Sequence, residues 1–84
     1  MSKVVYSDAA AKTLSRMDRV TSRRIMSKVS QLARDPSSLA NNVKRMQGET
    51  RMWRLRVGNW RVIYDDNGIV LFVFKVGPRG SAYD

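Results

Sequence analysis

Apolar positions recur along this chain with two different periods. In the first half they fall at helical spacing: Ala10, Leu14 and Met17, then Ile25, Val29, Leu32 and Ala33 with Met26 beside them. In the second half they alternate with charge, as in Trp53-Arg54-Leu55-Arg56-Val57, and continue through Trp60-Arg61-Val62-Ile63-Tyr64 to a last apolar strand, Ile69 to Val76. A short strand, Lys3-Val4-Val5-Tyr6, precedes the helical part. Ser7 and Asp8 supply a cap and a first-turn acid for one helix, and Asp18 caps a second. Asp35-Pro36 closes the second helix, because the residue before proline disfavours the α region. Segment 36–43 reads as a loop by composition. The pattern predicts an α+β domain, with a helical hairpin followed by a three-stranded meander.

The turns set a register. Gly58-Asn59 fits a two-residue hairpin loop, which pairs Val57 with Trp60, Arg56 with Arg61, Leu55 with Val62 and Arg54 with Ile63. Reading Asn67-Gly68 as a second such loop pairs Arg61 with Phe74 and Ile63 with Phe72. One face then carries Trp53, Leu55, Val57, Trp60, Val62, Tyr64, Leu71 and Val73, the expected core under the helices. The other carries Arg54, Arg56, Arg61, Ile63, Phe72 and Phe74. Arg56 directly opposite Arg61 is a like-charge pair, which destabilises a sheet. An anion between the two would explain the pairing. The alternative is two arginines splaying into water on long stems. Phe72 and Phe74 offer either a stacking platform for single-stranded nucleic acid or a second small core.

Composition narrows the chemistry. Eighty-four residues make one domain, residues 1–84, near the size where a single core is only just sufficient. Cys and His are both absent. That excludes disulfide scaffolds, thiolate metal sites and every nucleophile paired with a histidine base. The longest uninterrupted apolar run, Ile69 to Phe74, is six residues, far short of a membrane span. No apolar signal region follows Met1, so the chain is read as soluble and cytoplasmic. The formal net charge is +9, and eleven of sixteen basic residues are Arg. Residues 44–61 hold six of them (Lys44, Arg45, Arg51, Arg54, Arg56 and Arg61) against Glu49 alone. Arginine suits bidentate phosphate contact, so a polyanion is the expected partner.

The run Val43-Lys44-Arg45-Met46-Gln47-Gly48, the stretch from Trp53 to Tyr64, Val76-Gly77-Pro78-Arg79 and finally Tyr83 resemble the RelE family, bacterial type II toxins of the RelE/ParE superfamily. The helix pair ending in Leu32-Ala33-Arg34-Asp35-Pro36 is similar as well. The resemblance implies a β-α-α-β-β-β fold, with the helical hairpin packed on one face of a mainly antiparallel four-stranded sheet. It implies an endoribonuclease that enters the A site of the 70S ribosome, beside 16S rRNA, and cleaves the mRNA there. A cognate antitoxin would hold the toxin inactive. No metal, no small-molecule cofactor and no membrane is implied. The family's functional positions correspond here to Arg54 and Arg56, to Arg61, to Arg79 and to Tyr83. Lys44 and Arg45, in the same basic stretch, are further candidates for holding RNA phosphate.

The chemistry is attack of a 2′-OH on its own 3′-phosphate, leaving a cyclic phosphate and a 5′-OH. Preorganised arginines can stabilise the charge that grows on the phosphate oxygens. Without His, the proton acceptor is a Tyr, a Lys or a carboxylate. Tyr83 is the favoured candidate, because nearby cations favour a phenolate. Some family members have Lys where this chain has Arg54 and Arg56. Arginine cannot give up its proton, so these two positions can hold phosphate but cannot act as bases. The rival reading is a ParE-like toxin, which shares the fold but poisons DNA gyrase by binding.

Overall fold

The structure is a computed structural model, and it describes residues 2–48 and 51–80. The chain begins with strand β1, Lys3–Tyr6, and turns at once into helix α1, Asp8–Arg16. Ser7 makes that turn. Its Oγ accepts the Ala10 amide at 3.0 Å and donates to the Phe74 carbonyl at 2.7 Å, so the helix cap is also a tie to the sheet. Helix α2, Arg19–Arg34, starts on Asp18, whose Oδ2 accepts the Thr21 amide at 3.0 Å. Asp35 ends it by donating its amide to the Gln31 carbonyl, and Pro36 prevents continuation. Both caps and the closing Asp-Pro stand where the sequence predicts them.

Segment 36–43 is more ordered than its composition suggests. Pro36–Asn42 forms a 3-10 segment, kinked at Leu39, and Leu39 is buried. Val43–Arg45 then forms a short strand, β2, that pairs antiparallel with β3, Trp53–Val57. The sheet therefore has five strands, not four, in the order β1-β5-β4-β3-β2. Three residues, of which only Val43 is apolar, are too few for alternation to reveal a strand. Strand β4 spans Trp60–Asp66 and β5 spans Val70–Pro78. β1 runs parallel to β5, and all other pairings are antiparallel.

The register of β3 on β4 is the one the Gly58-Asn59 turn dictates, including Arg56 opposite Arg61. Gly58 has φ +57°, the left-handed region that the first position of a II′ turn requires. The register of β4 on β5 differs from the two-residue reading of Asn67-Gly68. Asn67 Oδ1 accepts the amides of both Ile69 and Val70 at 2.9 Å, and Asp66 Oδ1 accepts that of Gly68 at 2.9 Å. These bonds stabilise a three-residue connection, residues 67–69, and Asp66 pairs with Leu71. An irregularity next to Ile63 and Tyr64 then shifts the pairing once more, giving Ile63 opposite Lys75 and Arg61 opposite Gly77. Phe72 accordingly pairs with Asp65, not Ile63, and the two phenylalanines pack on each other, ring centroids 4.7 Å apart.

The helices cover one sheet face. Leu55, Val62, Leu71 and Val73 lie against Ile25 and Val29 at essentially zero exposure, with Leu14, Leu32 and Val76 closing the cluster and Trp53 and Trp60 half-buried at its edge. Each such side chain contributes about 1.5–3 kcal/mol on burial. The opposite sheet face bears the arginines.

Candidate nucleic-acid interface

Alternation along β3 and β4 sends Arg54, Arg56 and Arg61 to the face away from the helices, because Leu55, Val57 and Val62 are taken by the core. Cross-strand pairing arranges this face in two rows. Lys44, Arg54, Ile63 and Lys75 stand opposite one another across four strands; Arg56, Arg61 and Gly77 form the next row. Val57 and Trp60 flank the two-residue turn as its closing, hydrogen-bonded pair. Arg56 and Arg61 are then the adjacent non-hydrogen-bonded pair, whose Cα atoms come within about 4.5 Å. Gly77 contributes no side chain to its row.

Arg61 is held by its own turn. Its Nη1 donates to the Gly58 carbonyl at 3.1 Å and to the Trp60 carbonyl at 3.0 Å. These bonds fix the guanidinium plane before any ligand arrives, which is what preorganised charge stabilisation requires. The 3-10 segment raises a wall beside the rows. Together Asn41, Asn42, Val43, Lys44, Arg54, Arg56 and Arg61 line a concavity of about 410 Å³. One Lys and three Arg around a polar hollow of this size are suited to phosphate.

Of the seven residues singled out in the sequence, Lys44, Arg54, Arg56 and Arg61 thus come together. Arg45 does not join them. It pairs with Trp53 on the helix-side face, its guanidinium carbon 5.9 Å from the Trp53 ring centroid. Arg79 sits in the turn after β5 and donates its amide to the Asn59 carbonyl at 2.6 Å. That places its backbone beside the β3–β4 turn, at the end of the arginine rows, although it does not line the concavity. Tyr83 lies outside the described residues. Sequence reasoning missed Asn41 and Asn42, because nothing in a Ser/Asn loop says which way it folds.

The two described tyrosines are poor proton acceptors. Burial pushes the Tyr6 hydroxyl up. Burial, and then the charge of Asp66, pushes that of Tyr64 up to about 12. Tyr64 belongs to a separate, mostly apolar hollow of about 510 Å³ on the helix side, lined also by Leu32, Ala33, Pro36, Val43, Trp53 and Asp66. Among the described residues no three His, Cys, Asp or Glu side chains converge as metal ligands. No described helix is long and apolar enough to cross a membrane.

The model of the family described as ParE toxin of type II toxin-antitoxin system, parDE, matches residues 4–83. No curated protein sequence matches significantly. The chain is similar to the solved archaeal RelE–RelB complex from Pyrococcus horikoshii, with a TM-score of 0.76 and 26% identity over 96% of this chain and 98% of that one. It shares its fold with the RelB–RelE antitoxin–toxin complex from Methanococcus jannaschii, at TM-score 0.72 and 23% identity over 95% of each chain. It shares it also with the intact E. coli RelBE toxin–antitoxin complex, at TM-score 0.71 and 18% identity, over 90% of this chain and 94% of that one.

Proposed function

Because the chain belongs to the ParE toxin family of type II toxin–antitoxin systems, a toxin of the RelE/ParE superfamily, we propose that it acts as a ribosome-dependent mRNA endoribonuclease. The observation that carries this reading is the concavity in which Lys44, Arg54, Arg56 and Arg61 converge while Arg61 is pinned by two carbonyls. A like-charge pair next to the β3–β4 turn destabilises the sheet unless an anion lies against it. A nuclease substrate supplies that anion, because negative charge builds on one phosphate as it is cleaved.

The reaction runs as a transesterification. The 2′-oxygen attacks the adjacent phosphorus, the bond from phosphorus to the 5′-oxygen breaks, and the products are a 2′,3′-cyclic phosphate and a 5′-OH. Arg56 and Arg61 neutralise the equatorial oxygens, and Arg54 with Lys44 holds the flanking backbone. Arg79, beside the same turn, adds a further cation. The proton leaving the 2′-OH goes to a base, and one is returned to the 5′-oxygen. Tyr6 and Tyr64 are unsuited to accept it, and the guanidinium groups cannot. Tyr83 is the proposed base.

The cognate antitoxin is proposed to silence the toxin by laying an acidic or amphipathic segment over the basic face. The similarity to toxin chains solved with RelB supports a proteinaceous antitoxin. The family model also carries the ParE name, and this favours a second reading, in which the same basic face binds DNA gyrase and cleaves nothing. Induced expression separates the two. The nuclease reading expects translation to stop, with mRNAs cut inside reading frames and plasmid supercoiling unchanged. Intact mRNA with lost supercoiling would replace it with the gyrase reading.

A further inference from the structure

One arginine outside the concavity is placed as no sequence periodicity foretells. Arg24 is exposed on α2, one residue before the core residue Ile25, where a solvated side chain is expected. In the structure its guanidinium reaches over to the β3–β4 turn. A Cβ built on Gly58 would stand 3.5 Å from Arg24 Nη1 and 3.8 Å from both Cζ and Nη2. Arg61 approaches the same glycine through its carbonyl, at 3.1 Å. The covalent path between those two points of Gly58 is about 4 Å, so the two guanidinium groups approach within about 11 Å. Arg79 joins at the neighbouring residue, through its amide on the Asn59 carbonyl. Two guanidinium groups, from α2 and from β4, thus approach a two-residue turn that bears no charge of its own, with the backbone of Arg79 beside it. At this separation the two exposed charges are screened from each other, yet both remain within reach of one polyanion.

We infer that Arg24 forms a second phosphate subsite. A single-stranded RNA held in the concavity by Arg56 and Arg61 continues over the Gly58-Asn59 tip, and a neighbouring phosphate of that strand rests against Arg24. The separation of the guanidinium groups is one that a strand spans in one or two nucleotides. The missing side chain at Gly58 lets the backbone pass close to the turn. This inference rests on the nuclease reading of the same face.

The test is the salt dependence of binding to a short fluorescent oligouridylate, measured by anisotropy with thermal unfolding in parallel. Each phosphate contact adds about 0.7 to the slope of log affinity against log salt for a single strand. Arg24→Gln should lower the slope by about that amount and weaken binding several-fold, with the melting temperature unchanged. Arg24→Lys should keep the slope. Arg34→Gln removes an equal charge from the end of α2 and should leave slope and affinity as they were. A parental slope in Arg24→Gln overturns the inference, and so does an equal loss in Arg34→Gln. If Arg61→Gln lowers the slope and Arg24→Gln does not, the inference alone falls. If Arg61→Gln also has no effect, the nuclease reading of the face falls with it.

Discussion

If the proposed nuclease reading holds, the pair formed by Arg56 and Arg61 sets stability against activity, and Arg56→Glu tests the conflict. The two residues are directly opposed across β3 and β4. Like charges so placed destabilise a sheet by a few tenths to about 1 kcal/mol, and opposite charges stabilise it by a similar amount. Reversing one sign therefore moves stability by roughly 0.5–2 kcal/mol. Arg56 is exposed, so solvent and salt screen part of this and leave about 0.5–1 kcal/mol. In a domain of this size 1 kcal/mol shifts the melting temperature by about 4–8 °C, so Arg56→Glu should melt roughly 2–8 °C above the parent. Arg56→Gln removes the repulsion without adding attraction. It should fall between them, and it controls for the lower strand preference of Glu. The assay is thermal unfolding followed by circular dichroism at low and at high ionic strength, and the gain should shrink at high salt. The same variant should lose RNA cleavage, the trade expected where a site holds strain for function. An Arg56→Glu protein melting at or below Arg56→Gln at low salt would refute the reasoning, for it would mean that the two side chains splay apart without repulsion.

Leu55 is fully buried between β3 and the helices. Leu55→Ala should cost about 2–5 kcal/mol, a large share of the roughly 4–12 kcal/mol such a domain holds, read as a lower urea midpoint at unchanged m-value. Tyr64 gives a pH dependence of definite sign. Its hydroxyl is raised from near 10 to about 12 by burial and then by Asp66, so the folded state binds this proton more tightly than the unfolded one. The stability it contributes is complete below about pH 10 and is lost as pH rises toward about 12. Urea midpoints measured across that window should fall more steeply for the parent than for Tyr64→Phe; parallel curves would contradict this.

How far the sequence foretold the structure depends on where the controlling interactions lie. Gly58-Asn59 fixed the β3–β4 register because its conformation is dictated by one glycine with φ +57°, and the arginine face followed by alternation. Asn67-Gly68 misled because the outcome depended on a side chain. Asn67 Oδ1 takes two backbone amides and lengthens the loop, and no dipeptide rule records that competition. The consequence bears on the site: Phe72 and Phe74 stand opposite neither Ile63 nor Arg61 and pack on each other instead. β2 was invisible because three residues carry too little pattern, yet it brings Lys44 into the row of Arg54. Arg24 escaped notice because helical periodicity states which way a residue points but not how far a long side chain reaches.

The measurement that tests the central claim most directly is single-turnover cleavage of mRNA on ribosomes programmed with an open A site, with ribosome binding measured in parallel. The parent should cut within the A-site codon and leave a cyclic phosphate and a 5′-OH. Arg61→Ala should lower the cleavage rate by about 10²–10³, as the loss of one preorganised donor does, and weaken binding as well. Tyr83→Phe keeps the ring and removes only the ionisable oxygen. It should slow cleavage by about 10²–10⁴ with binding nearly unchanged. Cleavage by Arg61→Ala at the parental rate, or intact mRNA under a saturating amount of the parent protein, would contradict the account.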